Sequence, residues 1–204
     1  GTSGIAQPLS APAQLTAYRE ALRQKAADYP DLVFCLGENG LDLALKVGID
    51  ANRRLKTANW IGPLLAEAGT LGVRSILLFG YHGKLIKLAG GIFHTHHHVA
   101  DGRQEIMAAY CAKAGLETKI VQQILASPTS EAALQILTGL DAQTSSTWVS
   151  AVYGILAEQI DARSHAYILT HTEQPVKVGS VLFDRQRQII IKSDRAKDLL
   201  LTQR

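Results

Sequence analysis

The chain has 204 residues, of which 47% are apolar and 19% are charged, and its net charge is +3. This balance is typical of a globular protein and excludes a disordered chain. The basic residues are scattered instead of forming the continuous stripe of a nucleic-acid-binding surface. We therefore expect no nucleic-acid partner.

The sequence also indicates a compartment. No apolar run approaches the roughly 20 residues of a membrane span, and no signal-peptide pattern is present. The two cysteines, Cys35 and Cys111, lie among apolar residues and are expected to be small buried thiols of a reducing compartment. We therefore expect a cytoplasmic protein that does not bind a membrane.

Three strand–loop–helix units follow a first helix. Residues 1–12 are predicted to be an extended lead-in, and the absence of an initial Met indicates a fragment of a longer protein. Apolar residues at helical spacing then continue to Pro30, which ends the first helix. Strands are predicted over 32–36, 54–57 and 73–79, and Gly72 is predicted to stop the helix before the third strand.

The first and third strands are almost purely apolar, which is typical of strands covered on both faces of a parallel sheet. Strands separated by helices imply right-handed crossover connections. The later part of the chain predicts helices over 99–114, 119–126, 130–139 and 148–160, and a fourth strand over 166–170. We therefore predict an α/β fold over residues 13–172, a Rossmann-like doubly wound and mostly parallel sheet that binds a cofactor.

The tail has a different pattern. Residues 177–183 and 188–192 flank a polar turn and predict a β-hairpin. A hairpin after a series of helices does not fit a parallel sheet. We therefore assign residues 173–204 to a hairpin and tail that pack on a second, largely missing N-terminal domain.

Three predicted loops, 37–40, 57–59 and 80–84, follow the carboxyl ends of these strands, where open α/β sheets bind ligands. Glycine permits close approach of the backbone, and a helix that begins after such a loop offers N–H groups to an anion. Neither glycine-containing loop has the spacing of a known phosphate-binding motif, so tight turns remain an alternative. The candidate cofactor contacts are Gly37, Asn39, Gly40, Asn59, Gly80 and Gly83.

Four of the seven histidines fall within residues 94–98. In an extended segment His94, His96 and His98 would point to one face and could bind zinc, with Asp101 as a further ligand or as its partner. Imidazoles that bind a carboxylate-rich ligand or move a proton are a second interpretation. A loop whose histidines bond the backbone is a third, and the residues alone leave all three open.

The run over 76–103 closely resembles a family signature, an apolar strand followed by G-H-x-G-K-L-x-K-L-A-x-G-I-F-x-T-H-S-x-V-A-D-A-R. Residues 1–10 resemble G-T-x-G-I-x-x-P-M-S, and residues 56–62 resemble K-x-S-N-F-x-G. On these three ordered matches the chain resembles the C-terminal part of the CbiD family. It departs from the signature at Ala58, Tyr81, His97 and Gly102, and no role is carried to Ala58, Tyr81 or His97.

The resemblance implies methyl transfer from S-adenosylmethionine to C-1 of a cobalt-corrinoid ring in anaerobic cobalamin synthesis. Such a displacement needs chiefly positioning and exclusion of water, and no metal bound by the protein. Lys84, Lys87 and Arg103 would then pair with the acetate and propionate groups of the ring. His94, His96 and Asp101 are the candidate catalytic residues, which would orient the ring or move a proton.

Two other functions are compatible with the same residues. One is a metal-dependent hydrolase built on the histidines at 94–98, and the other is a non-catalytic subunit that binds a tetrapyrrole. Metal content and methyl transfer distinguish the three. Assembly into a homo-oligomer is left open.

Overall fold

The computed structural model describes residues 11–202, so most of the predicted lead-in and the first family match lie outside the described residues. The helices are α1 (Ala11–Asp28), α2 (Glu38–Lys46), α3 (Ile61–Thr70), α4 (His82–Ala89), α5 (Arg103–Lys113), α6 (Thr118–Leu125), α7 (Ser130–Thr144), α8 (Trp148–Thr172) and α9 (Asp194–Thr202). The strands are β1 (Asp31–Leu36), β2 (Arg54–Lys56), β3 (Ser75–Tyr81), β4 (Lys177–Phe183) and β5 (Ile189–Lys192). Among the described helices, none is long and apolar enough to cross a lipid bilayer.

The five strands form one sheet in the order β2-β1-β3-β4-β5. Strands β1 to β4 run parallel, and β5 pairs with β4 in the antiparallel direction. The pairing of β1 with β3 runs from Asp31 opposite Ser75 to Leu36 opposite Gly80. The prediction of an α/β fold with a mostly parallel sheet is confirmed.

Both faces of the sheet are buried by helices. Leu32 and Phe34 of β1 face a core that includes residues of α1, α3, α4 and α8. Val33 and Cys35 face a second, smaller core with residues of α2 and α9. Because both sets of alternating side chains are buried, β1 requires a continuous apolar run.

The two thiols lie in these cores. Cys35 and Cys111 are both free and buried, as predicted. Burial raises the pKa of Cys35 to about 12 and that of Cys111 to about 11. Both are therefore neutral thiols without the thiolate character that reactivity needs.

The predicted fourth strand is wrong, because residues 166–170 lie inside α8. Of these five residues only Ile168 is buried, as expected for one face of a helix. A short apolar run does not distinguish a strand from a helix segment.

The hairpin is confirmed, but its predicted place outside the parallel sheet is wrong. β4 pairs in parallel with β3 from Ser75 opposite Lys177 to Tyr81 opposite Phe183. Helices α4 to α8 form the crossover that returns the chain for this pairing. The packing of the tail on a domain outside this chain stays a prediction.

Three boundaries near the predicted site also differ. The predicted loop over 37–40 is wrong after Gly37, because α2 begins at Glu38. The predicted loop over 80–84 is wrong, because β3 continues to Tyr81 and α4 begins at His82. The helix predicted from residue 99 begins only at Arg103. Residues 92–102 form an irregular segment, which we call the His loop.

Candidate functional site

The chain adds its second strand on one side of β1 and its later strands on the other side. The connection from β1 to β2 uses α2 on one face, whereas the next two connections move the other way with α3 and α4–α8 on the opposite face. Right-handed crossovers require this change of face. The helices diverge beyond the carboxyl ends of β1 and β3, and ligands bind at this point in open α/β sheets.

Gly37 lies at the carboxyl end of β1. Its φ of 93° and ψ of 177° are almost restricted to glycine, and no side chain among the described residues caps the helix α2 that follows. A Cβ at Gly37 would stand 3.5 Å from Nζ of Lys84. The absent side chain therefore leaves space between the start of α2 and the Lys84 amine.

Lys84 projects from α4 and is half-buried. Within the described residues its amine has neither a hydrogen bond nor an ion pair. Burial lowers the pKa of Lys84, and the nearby charges of Lys56 and Lys87 lower it further. An anion placed at this amine would relieve both effects.

Lys87 has a different environment, since its side chain is only 2% exposed. Nζ donates to the carbonyl oxygens of Ala100 at 2.7 Å and Thr95 at 3.1 Å, and lies 3.9 Å from Oδ1 of Asp101. Burial lowers the pKa of Lys87, and Asp101 opposes that shift. The hydrogen bonds of Lys87 are thus made to the His loop, which they fasten to α4.

Asn59 holds the other side of the His loop. Its Oδ1 accepts a hydrogen bond from Oγ1 of Thr95 at 3.0 Å, and its carbonyl accepts one from the Thr95 N–H at 3.2 Å. The Gly62 N–H also donates to the Phe93 carbonyl at 2.9 Å. The His loop is therefore fixed to α3 as well as to α4.

The histidines of this loop do not form one extended row. His94 packs edge-on against Trp60 with ring centroids 4.7 Å apart, and its buried Nδ1 has no hydrogen-bond partner in the described part of the chain. The pKa of His94 is lowered by burial. The His96 ring stacks on His97 at 4.8 Å and lies 5.3 Å from His98.

Nothing in this arrangement favours the metal interpretation. Among residues 11–202, no three His, Cys, Asp or Glu side chains are placed to hold one metal ion. Asp101 instead accepts hydrogen bonds from Arg103, at 2.7 Å from Nε and 2.5 Å from Nη2. Arg103 lowers the pKa of Asp101, which is therefore a carboxylate paired with a guanidinium.

Three predicted cofactor contacts are explained by packing. A Cβ at Gly40 would lie 2.8 Å from the Phe79 carbonyl oxygen, and one at Gly80 would lie 3.0 Å from Cβ of Leu36. A Cβ at Gly83 would lie 2.6 Å from the Tyr81 ring. These glycines permit close contact between α2, α4 and the sheet, which is the tight-turn alternative in a more specific form.

The carboxyl edge of the sheet carries two adjoining clefts. The first cleft, about 350 Å³, is lined by Asn59, Tyr81, Gly83, Lys84, Lys87, Thr95, His96, His97 and Arg103. The second cleft, about 300 Å³, shares Tyr81 and Arg103 with it and is completed by Asn39, Thr129, Glu131 and Arg185. A larger cavity of about 510 Å³ lies at the opposite, amino-terminal edge and contains no predicted site residue.

The structure therefore brings together half of the predicted site. The predicted residues that line the first cleft are Asn59, Gly83, Lys84, Lys87, His96 and Arg103. Asn39 lines the second cleft, where its Oδ1 accepts a hydrogen bond from Arg187 at 2.9 Å. Gly37, Gly40, Gly80, His94 and Asp101 line neither cleft.

Comparison with known proteins places the chain in a family. A family model described as "CbiD, C-terminal domain" matches residues 94–194. A protein of Nostoc sp. strain PCC 7120 is 56% identical over 203 residues, which cover 98% of this chain and 55% of the relative. The chain belongs to the CbiD family.

Other relatives of this CbiD chain agree. A Cyanothece sp. protein is 60% identical over 95% of this chain and 51% of the relative, and one from Gloeobacter violaceus is 44% identical over 98% and 54%. All three relatives carry the name cobalt-precorrin-5B C(1)-methyltransferase. The chain spans about half the length of these relatives, and no solved structure matches it.

Behind the second cleft of this CbiD member, three polar side chains that the sequence did not predict as a site are joined by hydrogen bonds: Glu131, His82 and Tyr153. The side chain of His82 is fully buried, with Nδ1 2.7 Å from the Tyr153 hydroxyl and Nε2 3.2 Å from Oε2 of Glu131. Glu131 and Tyr153 lie 49 and 71 residues from His82 in sequence. No spacing rule connects residues so far apart, and His82 falls on the unspecified position of the G-H-x-G-K match.

Proposed function

We propose that the protein of which this chain is part transfers a methyl group from S-adenosylmethionine to C-1 of cobalt-precorrin-5B in anaerobic cobalamin synthesis. The observation that carries the proposal is the match over 98% of the chain to a relative of that name at 56% identity. The clefts at the carboxyl edge supply a place for the two reactants. Their geometry supports the following assignment.

The start of α2 fits the amino-acid end of the methyl donor. Gly37 lacks the Cβ that would fill this space. In the described part of the chain α2 has no side-chain cap, so its first N–H groups suit a carboxylate. S-adenosylmethionine supplies a methyl group on a sulfonium. We assign Gly37 and Asn39 to its site in a Rossmann-like layout, with Gly40, Gly80 and Gly83 shaping the backbone around it. β2 ends with Lys56 rather than with the acid that dinucleotide-binding folds use for ribose, so the likeness concerns the sheet layout alone.

The first cleft fits the carboxylates at the rim of a corrinoid ring. Lys84 has no partner among the described residues and is half-desolvated, so a carboxylate would gain a strong charge-assisted hydrogen bond. Arg103 adds donors at the rim, although Asp101 already uses two of its nitrogens. The ring would lie over the opening, beside His94 and His96. Because Lys84 also borders the Gly37 space, donor and acceptor would be adjacent, as methyl transfer requires.

The role of Lys87 changes in this proposal. A buried amine that already donates to two carbonyls positions the His loop and is not free for a substrate carboxylate. We assign the same kind of role to Asn59 through its hydrogen bond to Thr95. Both residues would act on the ring through the histidines that they place.

The tail fits an attachment to the rest of the protein. β5 is an edge strand of the sheet, and Ile189, Ile190 and Ile191 are only half-buried. We propose that the part of the protein outside this chain covers this edge. Slower amide exchange of β5 in the longer protein than in this chain would support it, and equal exchange would contradict it.

The test is calorimetric titration of this chain, and of the longer protein, with S-adenosylhomocysteine. Saturable 1:1 binding and methyl transfer by the longer protein are expected. Lys84→Ala should weaken the binding of cobalt-precorrin-5B at least tenfold and change S-adenosylhomocysteine binding little, whereas Lys46→Ala on the exposed end of α2 should change neither. Ring binding without methyl transfer would leave a non-catalytic tetrapyrrole-binding protein, and no binding of either ligand would overturn the proposal.

A further inference from the structure

The second cleft ends on the carboxylate of Glu131, which the fully buried His82 holds from behind. Oε2 of Glu131 accepts hydrogen bonds from Nε2 of His82 at 3.2 Å, from the Arg185 N–H at 3.3 Å and from the Tyr81 hydroxyl at 3.5 Å. The Glu131 side chain is 13% exposed, and it borders the cleft. Glu131 therefore connects the fully buried His82 with a space that a ligand can enter.

The hydrogen-bond donors and acceptors around His82 determine which of its ring nitrogens carries the proton. A carboxylate only accepts hydrogen bonds, so Nε2 of His82 must donate to Glu131. Nδ1 is then the acceptor for the Tyr153 hydroxyl, which lies 2.7 Å away. Burial lowers the pKa of His82, which keeps the ring neutral with its proton on Nε2, although Glu131 opposes this shift.

The surrounding charges come from two other elements. Arg103 of α5 lowers the pKa of His82, and Asp184 of the β4–β5 turn raises it. Arg185 of the same turn contributes its backbone N–H to Glu131. The turn between β4 and β5 therefore contributes both a hydrogen bond to Glu131 and a charge near His82.

Methyl transfer from a sulfonium to carbon has a proton to dispose of. The new C–C bond forms with two electrons of the acceptor, and the broken S–C bond leaves its electrons on sulfur as a neutral thioether. The acceptor ring then carries one more positive charge, which is neutralised when a C–H bond of the ring breaks, leaves its electron pair in the conjugated system and releases a proton. A base beside the ring must accept that proton as the bond forms.

On the basis of the proposed methyl transfer, we infer that Glu131 is the base that accepts this proton from the corrinoid ring. The second cleft adjoins the first through Tyr81 and Arg103, so a ring over the first cleft has its edge near Glu131. His82 and Tyr153 are positioning residues, because His82 donates to Oε2 of Glu131 and the Tyr153 hydroxyl donates to Nδ1 of His82. The proton leaves Glu131 for water when the product departs.

The test uses the longer protein, radiolabelled S-adenosylmethionine and cobalt-precorrin-5B in single-turnover reactions. Glu131→Gln should slow methyl transfer by about 10²–10⁴-fold. Its affinity for S-adenosylhomocysteine, measured by calorimetry, should stay within threefold of the wild type. Glu105→Gln, which changes an exposed first-turn glutamate of α5, is the matched control and should leave both values unchanged.

A second variant separates chemistry from structure. Glu131→Ala opens space beside the second cleft, so added formate should restore part of its transfer rate, and acetate should restore less. Tyr153→Phe should lower kcat and leave KM unchanged, because the tyrosine acts through His82 and Glu131. If Glu131→Gln loses S-adenosylhomocysteine binding, Glu131→Asp decides, since a retained carboxylate should be faster than alanine.

The outcomes distinguish this inference from the proposed function. Wild-type transfer with an unimpaired Glu131→Gln variant overturns the role of Glu131 and leaves the function standing. Equal loss in the Asp and Ala variants without formate rescue also overturns it, because it indicates a structural role. A wild-type protein that neither binds S-adenosylhomocysteine nor transfers a methyl group overturns both.

Discussion

Asp161 provides a test of how burial sets stability. Asp161 belongs to α8 and is 1% exposed, and neither of its carboxylate oxygens has a hydrogen-bond partner within the described residues. Burial raises the pKa of Asp161 to about 7. The Ser193 and Ser180 hydroxyls oppose this shift, although neither reaches the carboxylate with normal hydrogen-bond geometry. We expect Asp161→Asn to stabilise the protein at pH 8 far more than at pH 5.

The sign follows from proton binding. The folded state binds the Asp161 proton more tightly than the unfolded state, so its contribution is complete below pH about 4 and is lost as the pH rises through about 7. For an unfolded pKa of about 4, the loss between pH 5 and pH 8 is about 3 kcal/mol. Asparagine has no charge to bury, so the variant escapes this loss. The difference corresponds to roughly 6–12 °C in melting temperature for a domain of this size.

Urea unfolding of both proteins at pH 5 and pH 8 measures the effect. The stability of Asp161→Asn relative to the wild type should rise by about 3 kcal/mol between the two pH values. Asp198→Asn, which changes an exposed residue of α9, should show no such trend. A pH-dependent difference below about 0.5 kcal/mol, the range of ordinary surface changes, would refute the assignment of a buried protonated carboxyl.

Two further predictions concern the site. Lys87→Met should lower the free energy of unfolding in urea by about 2–3 kcal/mol and speed amide exchange in the His loop, because two carbonyls lose a buried donor. Lys46→Met is the exposed control. Equal exchange rates in both variants would contradict the role of Lys87 in holding the His loop. Gly40→Ala should destabilise the fold by about 1–3 kcal/mol through its contact with the Phe79 carbonyl, whereas Gly139→Ala, with open space in α7, should stabilise it by about 0.5–1 kcal/mol. A stabilised Gly40→Ala variant would show that helix propensity outweighs this packing.

Sequence alone predicted the features that depend on local chemistry. The apolar runs of β1 and β3 require burial on both faces, so they indicate a parallel sheet without knowledge of their partners. Gly72 has a φ of 76° just after α3, a conformation that glycine adopts easily, so this helix end was also predictable. The ordered matches around the His loop identified the CbiD family, which the comparisons confirm.

Tertiary structure decided the features that depend on distant partners. Residues 166–170 are apolar enough for a strand, but their place in α8 follows from packing on α3 and the sheet. Strand β4 becomes the fourth parallel strand because the crossover returns the chain beside β3. Lys84 and Lys87 are three residues apart in one helix, yet within residues 11–202 the Lys84 amine beside Gly37 has no partner, whereas the Lys87 amine is buried against the His loop. Glu131, His82 and Tyr153 meet only after α4, α7 and α8 have packed together. A residue's chemistry is local, but its burial and its partners are set by segments far along the chain, and these decide which groups of this protein are charged, paired or free to bind.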